Sequence, residues 1–159
     1  MHIRNGAVVT GLAILLAAAS AIPAHADKPI GPTETYQTES DASAVNVFVT
    51  RGDNVHWSKH APGDINAHGW WTKTSGPATL AKVTVWLQVK EGSSWRTLNV
   101  KPKDIRPGGG KGRRTAAPYT CKNMIEKNYF RSVVDVDIIG YADGASKLTT
   151  PTQTWYCGV

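Results

Sequence analysis

Apolar and polar positions alternate with period two along most of this chain, and that alternation predicts β-strands. From Ala44 to Thr50, Val45, Val47 and Val49 fall on one side and Asn46, Phe48 and Thr50 on the other. From Ala81 to Lys90, Val83, Val85, Leu87 and Val89 make an apolar face opposite Thr84, Trp86 and Gln88. The run Tyr129–Tyr141 has the β-branched density of a central strand, with Val134, Val136 and Ile138 toward the core and Val133, Asp135, Asp137 and Ile139 facing away. Shorter strands are expected at His56–Trp57, Gly69–Thr72, Trp95–Val100 and Thr152–Gly158. The adjacent Trp70 and Trp71 must then face opposite sides, one in the core and one partly exposed.

The punctuation between these runs is turn chemistry. Arg51-Gly52-Asp53-Asn54 and Asp143-Gly144 are turn signals, and Glu91-Gly92-Ser93-Ser94 reads as a four-residue hairpin loop. Lys101-Pro102-Lys103 should end its strand, because proline cannot donate to a central ladder. No amphipathic helix of useful length is present. The sum predicts an all-β fold, a single antiparallel immunoglobulin-like β-sandwich of about 7–8 strands.

The first 26 residues change the picture of where the fold begins. A basic Arg4, an apolar run from Ala7 to Ala19 and Ala24-His25-Ala26 have the form of a secretory signal peptide cut after Ala26. The run is too short for a membrane span, and no later one is long enough. The expectation is a secreted chain beginning at Asp27. Residues 27–43 read as a flexible acidic N-terminal arm, and 44–159 as the sandwich domain. Export and an even cysteine count make a Cys121–Cys157 bridge the simplest pairing; two free thiols or an interchain bond are the alternatives.

Charge is uneven. Residues 27–41 carry one Lys against Asp27, Glu34, Glu39 and Asp41, whereas 42–159 hold 16 basic and 8 acidic residues. Lys101, Lys103, Arg106, Lys111, Arg113 and Arg114 form a basic stretch around Pro107-Gly108-Gly109-Gly110, suited to phosphate, acidic polysaccharide or a carboxylate-rich protein. Its Gly-Lys is not followed by Ser or Thr, so it is no P-loop. No nucleic-acid partner is expected.

Catalytic sets are weak. Asp135 and Asp137 share a face, but any i, i+2 pair has their spacing, and opposing basic neighbours explain them more simply. His56, His60 or His68 can be combined with an aspartate and a serine, but no Gly-x-Ser-x-Gly stretch exists. His56, His60, His68 and Asp64 do not form a recognised zinc spacing. No cofactor, metal or catalytic residue is therefore expected. Six tryptophans suggest binding faces as well as core filling, with Trp86 the best surface candidate because it opposes an apolar face.

The segments Ala67-His68-Gly69-Trp70-Trp71, Val83-Thr84-Val85-Trp86-Leu87-Gln88, Gly108-Gly109-Gly110, Arg131–Asp137 and Trp155-Tyr156-Cys157-Gly158 together resemble a group of small secreted actinobacterial β-sandwich proteins. In size, export, strand-rich body and N-terminal arm the chain is similar to the adaptor subunit of secreted umbrella toxin particles. That resemblance implies a non-enzymatic adaptor joining a lectin subunit to the scaffold of a large antibacterial toxin complex. Val45, Val47, Phe48 and Val49 would then enter a partner's groove, with Trp86 a second contact. A carbohydrate- or cell-wall-binding module is the alternative, followed by a secreted protease inhibitor.

Overall fold

The computed structural model describes residues 35–42, 46–142 and 144–159. The leader, its cleavage point after Ala26, Val45 and the Asp143 half of one turn lie outside them. Among the described residues ten strands are formed: β1 (Thr35–Ala42), β2 (Asn46–Asp53), β3 (His56–Trp57), β4 (Asp64–Ser75), β5 (Ala81–Glu91), β6 (Ser94–Ile105), β7 (Thr115–Thr120), β8 (Lys127–Ile138), β9 (Leu148–Thr149) and β10 (Gln153–Tyr156). They build two antiparallel sheets packed as a sandwich. Part of the segment expected as a flexible arm is thus an edge strand, since β1 pairs with β2 along its whole length, Thr35 opposite Asp53 to Ala42 opposite Asn46.

In the first sheet β4 is central. At Gly69 it pairs with Gly52 of β2 on one side and Thr115 of β7 on the other. Its earlier residues Ile65 and Asn66 pair with Trp57 and His56 of β3. So β2 and β3 occupy successive stretches of one edge of β4, and β7 lies along the other. In the second sheet the order is β10-β8-β5-β6, with β9 also on β8.

The inward faces are those the alternation predicts for β5 and β8. Val83, Val85, Leu87 and Val89 have no exposed surface, and Phe130, Val134, Val136 and Ile138 are buried opposite the first sheet. Of the adjacent tryptophans, Trp71 is buried and Trp70 half-buried. Trp71 donates its indole N–H to the carbonyl of Ile105 at 3.0 Å. Cys121 and Cys157 are bridged, which ties the start of the β7–β8 connection to the chain end.

Three local expectations need correction. Strand 46–53 turns Phe48, with 1 % of its surface exposed, into the domain's own core between polar Asn46 and Thr50, and leaves Val47 half-buried on the other face. The face carrying Asn46, Phe48 and Thr50 is therefore the inward one, although Val49 of the other face is also largely covered. Phe48 cannot serve as a partner contact without opening the core. Second, β6 runs through Pro102, which stands opposite Thr84; β6 is an edge strand, and a missing N–H on the outer edge breaks no ladder bond. Third, Glu91 pairs with Ser94, so the hairpin loop is only Gly92-Ser93, and Gly92 takes the positive φ of 59° that such a tight turn demands.

Candidate functional site

The two glycines facing each other across β2 and β4 set the geometry. A Cβ on Gly69 would lie 2.6 Å from Val134 and 2.7 Å from Val85, so this position points straight into the second sheet at a place with no room for a side chain. Its neighbours must therefore point outward. Asp53 follows Gly52 and His68 precedes Gly69, so the register brings these two together on the outer face. His56 stands opposite Asn66, one same-face step further along β4.

The three side chains converge. His68 Nδ1 lies 2.8 Å from Asp53 Oδ2, His56 Nε2 lies 3.3 Å from the same oxygen, and the two ring nitrogens are 3.2 Å apart. The imidazoles stack, with centroids 5.1 Å apart and planes 26° from parallel. Each residue is also fixed from behind. His56 Nδ1 donates to the carbonyl of Trp57 at 2.8 Å, which commits Nε2 to the cluster. Asp53 Oδ1 accepts the backbone N–H of His68 at 2.8 Å. The carbonyl of Asp53 accepts from Ser132 Oγ of β8 at 3.1 Å, and Ser132 is paired with Thr150 at 3.0 Å. A buried hydroxyl pair in one sheet thus holds the backbone of the cluster in the other.

The electrostatics follow. Burial pushes the Asp53 carboxyl up, but hydrogen bonds from His56 and His68 outweigh it and hold the group below its ordinary range. The bond to Asp53 raises His56 above its ordinary value, burial opposes that shift, and the bond to the Trp57 carbonyl supports it.

The cluster forms the floor of a cleft of about 580 Å³. Trp57, Trp70 and Trp155 line it, with Ser58, Lys59 and His60 from the loop after β3 and Arg114 from the segment before β7. Trp57 and Trp155 meet edge to face at 5.8 Å, and Trp155 donates its indole N–H to the carbonyl of Val55 at 2.9 Å. The glycine-rich loop leans on the opposite wall. The backbone N–H of Gly108 bonds the carbonyl of Trp71, and a Cβ on Gly109 would sit 3.1 Å from the Trp70 indole nitrogen.

The basic stretch does not stay together. Lys101 and Lys103 are exposed on β6. Arg106, Lys111 and Arg113 surround a separate shallow recess with Leu80 and Asp104. Arg114 alone of the six lines the cleft. Trp86 is half-buried on the outer face of the second sheet, where Lys147 Nζ lies 4.5 Å above its ring and also pairs with Asp135 at 2.6 Å. Asp137 stands opposite Lys82. The paired aspartates thus face cations rather than a cleft. Val47 and Val49 belong to β2, with Val49 8 % exposed.

Sequence reasoning missed Asp53, which looked like a turn residue, and grouped His56 and His68 with His60 and Asp64. Of those, His60 is exposed beside the cleft, and Asp64 pairs with Thr120 at the start of β4, four residues before His68 and outside the triad. A strand-end aspartate followed three residues later by a histidine was the available signal. It acquires meaning only once β4 brings His68 alongside. No serine–histidine relay forms among the described residues. Ser58 Oγ accepts the N–H groups of its own turn, from His60 and Ala61, while both ring nitrogens of His56 are engaged elsewhere. Comparison with protein-family models, with curated proteins and with solved structures gives no match.

Proposed function

We propose that this chain is an exported, non-catalytic binding module whose cleft takes a glycan carrying carboxylate or phosphate groups, such as a cell-wall polymer. The observation that carries the reading is the cleft itself: three tryptophans around about 580 Å³, with Lys59 and Arg114 at its walls. Indole faces suit the apolar C–H faces of sugar rings, and the cations suit the acidic substituents. The volume lies within the usual range for small-ligand sites, about 300–1,000 Å³.

The test is retention of the purified chain on insoluble cell-wall glycan at low salt, in EDTA. Trp70→Ala and Arg114→Ala should each weaken retention about tenfold or more while the fold persists by circular dichroism, corresponding to about 1.4 kcal/mol each. Equal retention of both variants and the parent, or none by the parent, would reject the cleft as a glycan site.

The adaptor reading keeps one specific support, on a different surface from the one expected. Tyr129 and Tyr156 are exposed on neighbouring strands, Tyr129 opposite Thr154 and Tyr156 opposite Lys127, and Met124 and Ile125 are exposed in the connection just before β8. Such an apolar group suits a protein contact such as a lectin-like subunit or toxin scaffold. Co-purification of a partner that is lost in Ile125→Asp but kept in Trp70→Ala would favour the adaptor over the glycan module.

A further inference from the structure

We propose that Asp53 Oδ2, His56 Nε2 and His68 Nδ1 form a three-ligand site for a divalent transition-metal ion of the zinc class, with the remaining coordination position open to the cleft. The site goes beyond the glycan reading and does not depend on it.

The triangle of donor atoms has the right size. Its sides are 2.8, 3.2 and 3.3 Å. Ligand atoms bound at about 2.0–2.1 Å around a tetrahedral ion lie about 3.3 Å apart. A circle through the three atoms has a radius of about 1.8 Å, so an ion at that bond length sits about 1 Å off their plane, as one face of a distorted tetrahedron requires.

His56 Nδ1 carries a hydrogen, because its partner is a carbonyl, so Nε2 is the nitrogen left to face the cluster. There it lies within reach of both His68 Nδ1 and Asp53 Oδ2, so the three donor atoms face one another. Metal binding would replace the protons shared among them.

A supporting shell surrounds the donors. The Trp57 carbonyl orients His56, the His68 N–H occupies the second oxygen of Asp53, and Ser132 fixes the Asp53 backbone. The donors come from strand positions rather than a loose loop, and their side chains are 9–19 % exposed, enough for entry from the cleft. Two imidazoles and one carboxylate select against calcium and magnesium, which prefer all-oxygen shells, and suit zinc, cobalt, nickel or copper. One carboxylate offsets half the charge of the ion. With Lys59 and Arg114 nearby, the open position favours an anionic ligand or hydroxide.

The experiment titrates the full disulfide-bonded chain, stripped with EDTA and dialysed, with Zn²⁺ by calorimetry and with Co²⁺ by visible absorption. One ion per chain is expected, with the ligand-field bands of low-coordinate Co²⁺. His56→Gln and Asp53→Asn should each weaken binding at least about 100-fold, while His60→Gln leaves it unchanged. Zn²⁺ should raise the melting temperature of the parent but not of His56→Gln, which controls for variants that fold less well. No stoichiometric binding, binding that survives both triad substitutions, or binding lost in His60→Gln would overturn the site. The glycan test runs in EDTA, so failure of either proposal leaves the other standing.

Discussion

Removing the Cys121–Cys157 bridge tests how much of the stability rests on a constraint outside the core. The perturbation is the double variant Cys121→Ala/Cys157→Ala, which leaves no stray thiol. The bridge closes a loop of 36 positions. Chain-entropy arithmetic for that length gives about 3.8 kcal/mol at 25 °C, and loss of the buried Cys157 sulfur adds a fraction more, for a total of about 4–5 kcal/mol. At about 4 °C per kcal/mol for a domain of this size, the melting temperature should fall by about 15–20 °C. The assay is guanidinium unfolding followed by tryptophan fluorescence and far-ultraviolet circular dichroism. The slope m should rise, because the unlinked unfolded chain exposes more surface. The native emission should stay the same. Trp155 is held by its bond to Val55 and its contact with Trp57, and the chain end by the Lys122 N–H to Gly158 and Gly158 N–H to Asn123 backbone bonds, none of which involves sulfur. A loss below about 1.5 kcal/mol with unchanged m would refute the entropic account.

Two further outcomes check the packing around the site. Phe48→Ala should destabilise by about 3–5 kcal/mol, as expected of a fully buried aromatic lying 6.3 Å edge-on from Trp71; a loss below 1 kcal/mol on denaturant titration would mean that β2 is peripheral and free to be donated. Gly69→Ala should cost about 1–3 kcal/mol or more, because the added methyl meets Val134 and Val85 from the packed second sheet, and it should also weaken Zn²⁺ binding by displacing His68; thermal melts and calorimetry read the two effects, and a neutral result in both would refute the close approach of the two sheets at this position.

Much of the fold was legible because strand burial has a local signature. Val83, Val85, Leu87 and Val89, and Val134, Val136 and Ile138, announce an inward face through a period that any sheet imposes. The same rule leaves β2 undecided, because both of its faces are apolar in part. Phe48 is buried because Trp71 lies beside it, a neighbour 23 positions away that no window on the strand reveals. Proline in β6 misled for a related reason: whether a missing N–H matters depends on whether the strand is central or at an edge, which is a property of the sheet.

By itself the sequence determined that this is an all-β sandwich and which faces of β5 and β8 turn inward, and it made Cys121–Cys157 the simplest pairing. These follow from side-chain period and from there being two cysteines to join. Only the tertiary structure decided that Asp53, His56 and His68 meet. Their meeting depends on the register of Gly52 against Gly69 and on the closeness of the second sheet, which forbids a side chain at Gly69 and so turns His68 outward. It also depends on Ser132, 79 positions from Asp53, to hold the backbone beneath the cluster. A site assembled from three strands and braced from the opposite sheet has no local pattern, because long-range pairing positions each of its donors.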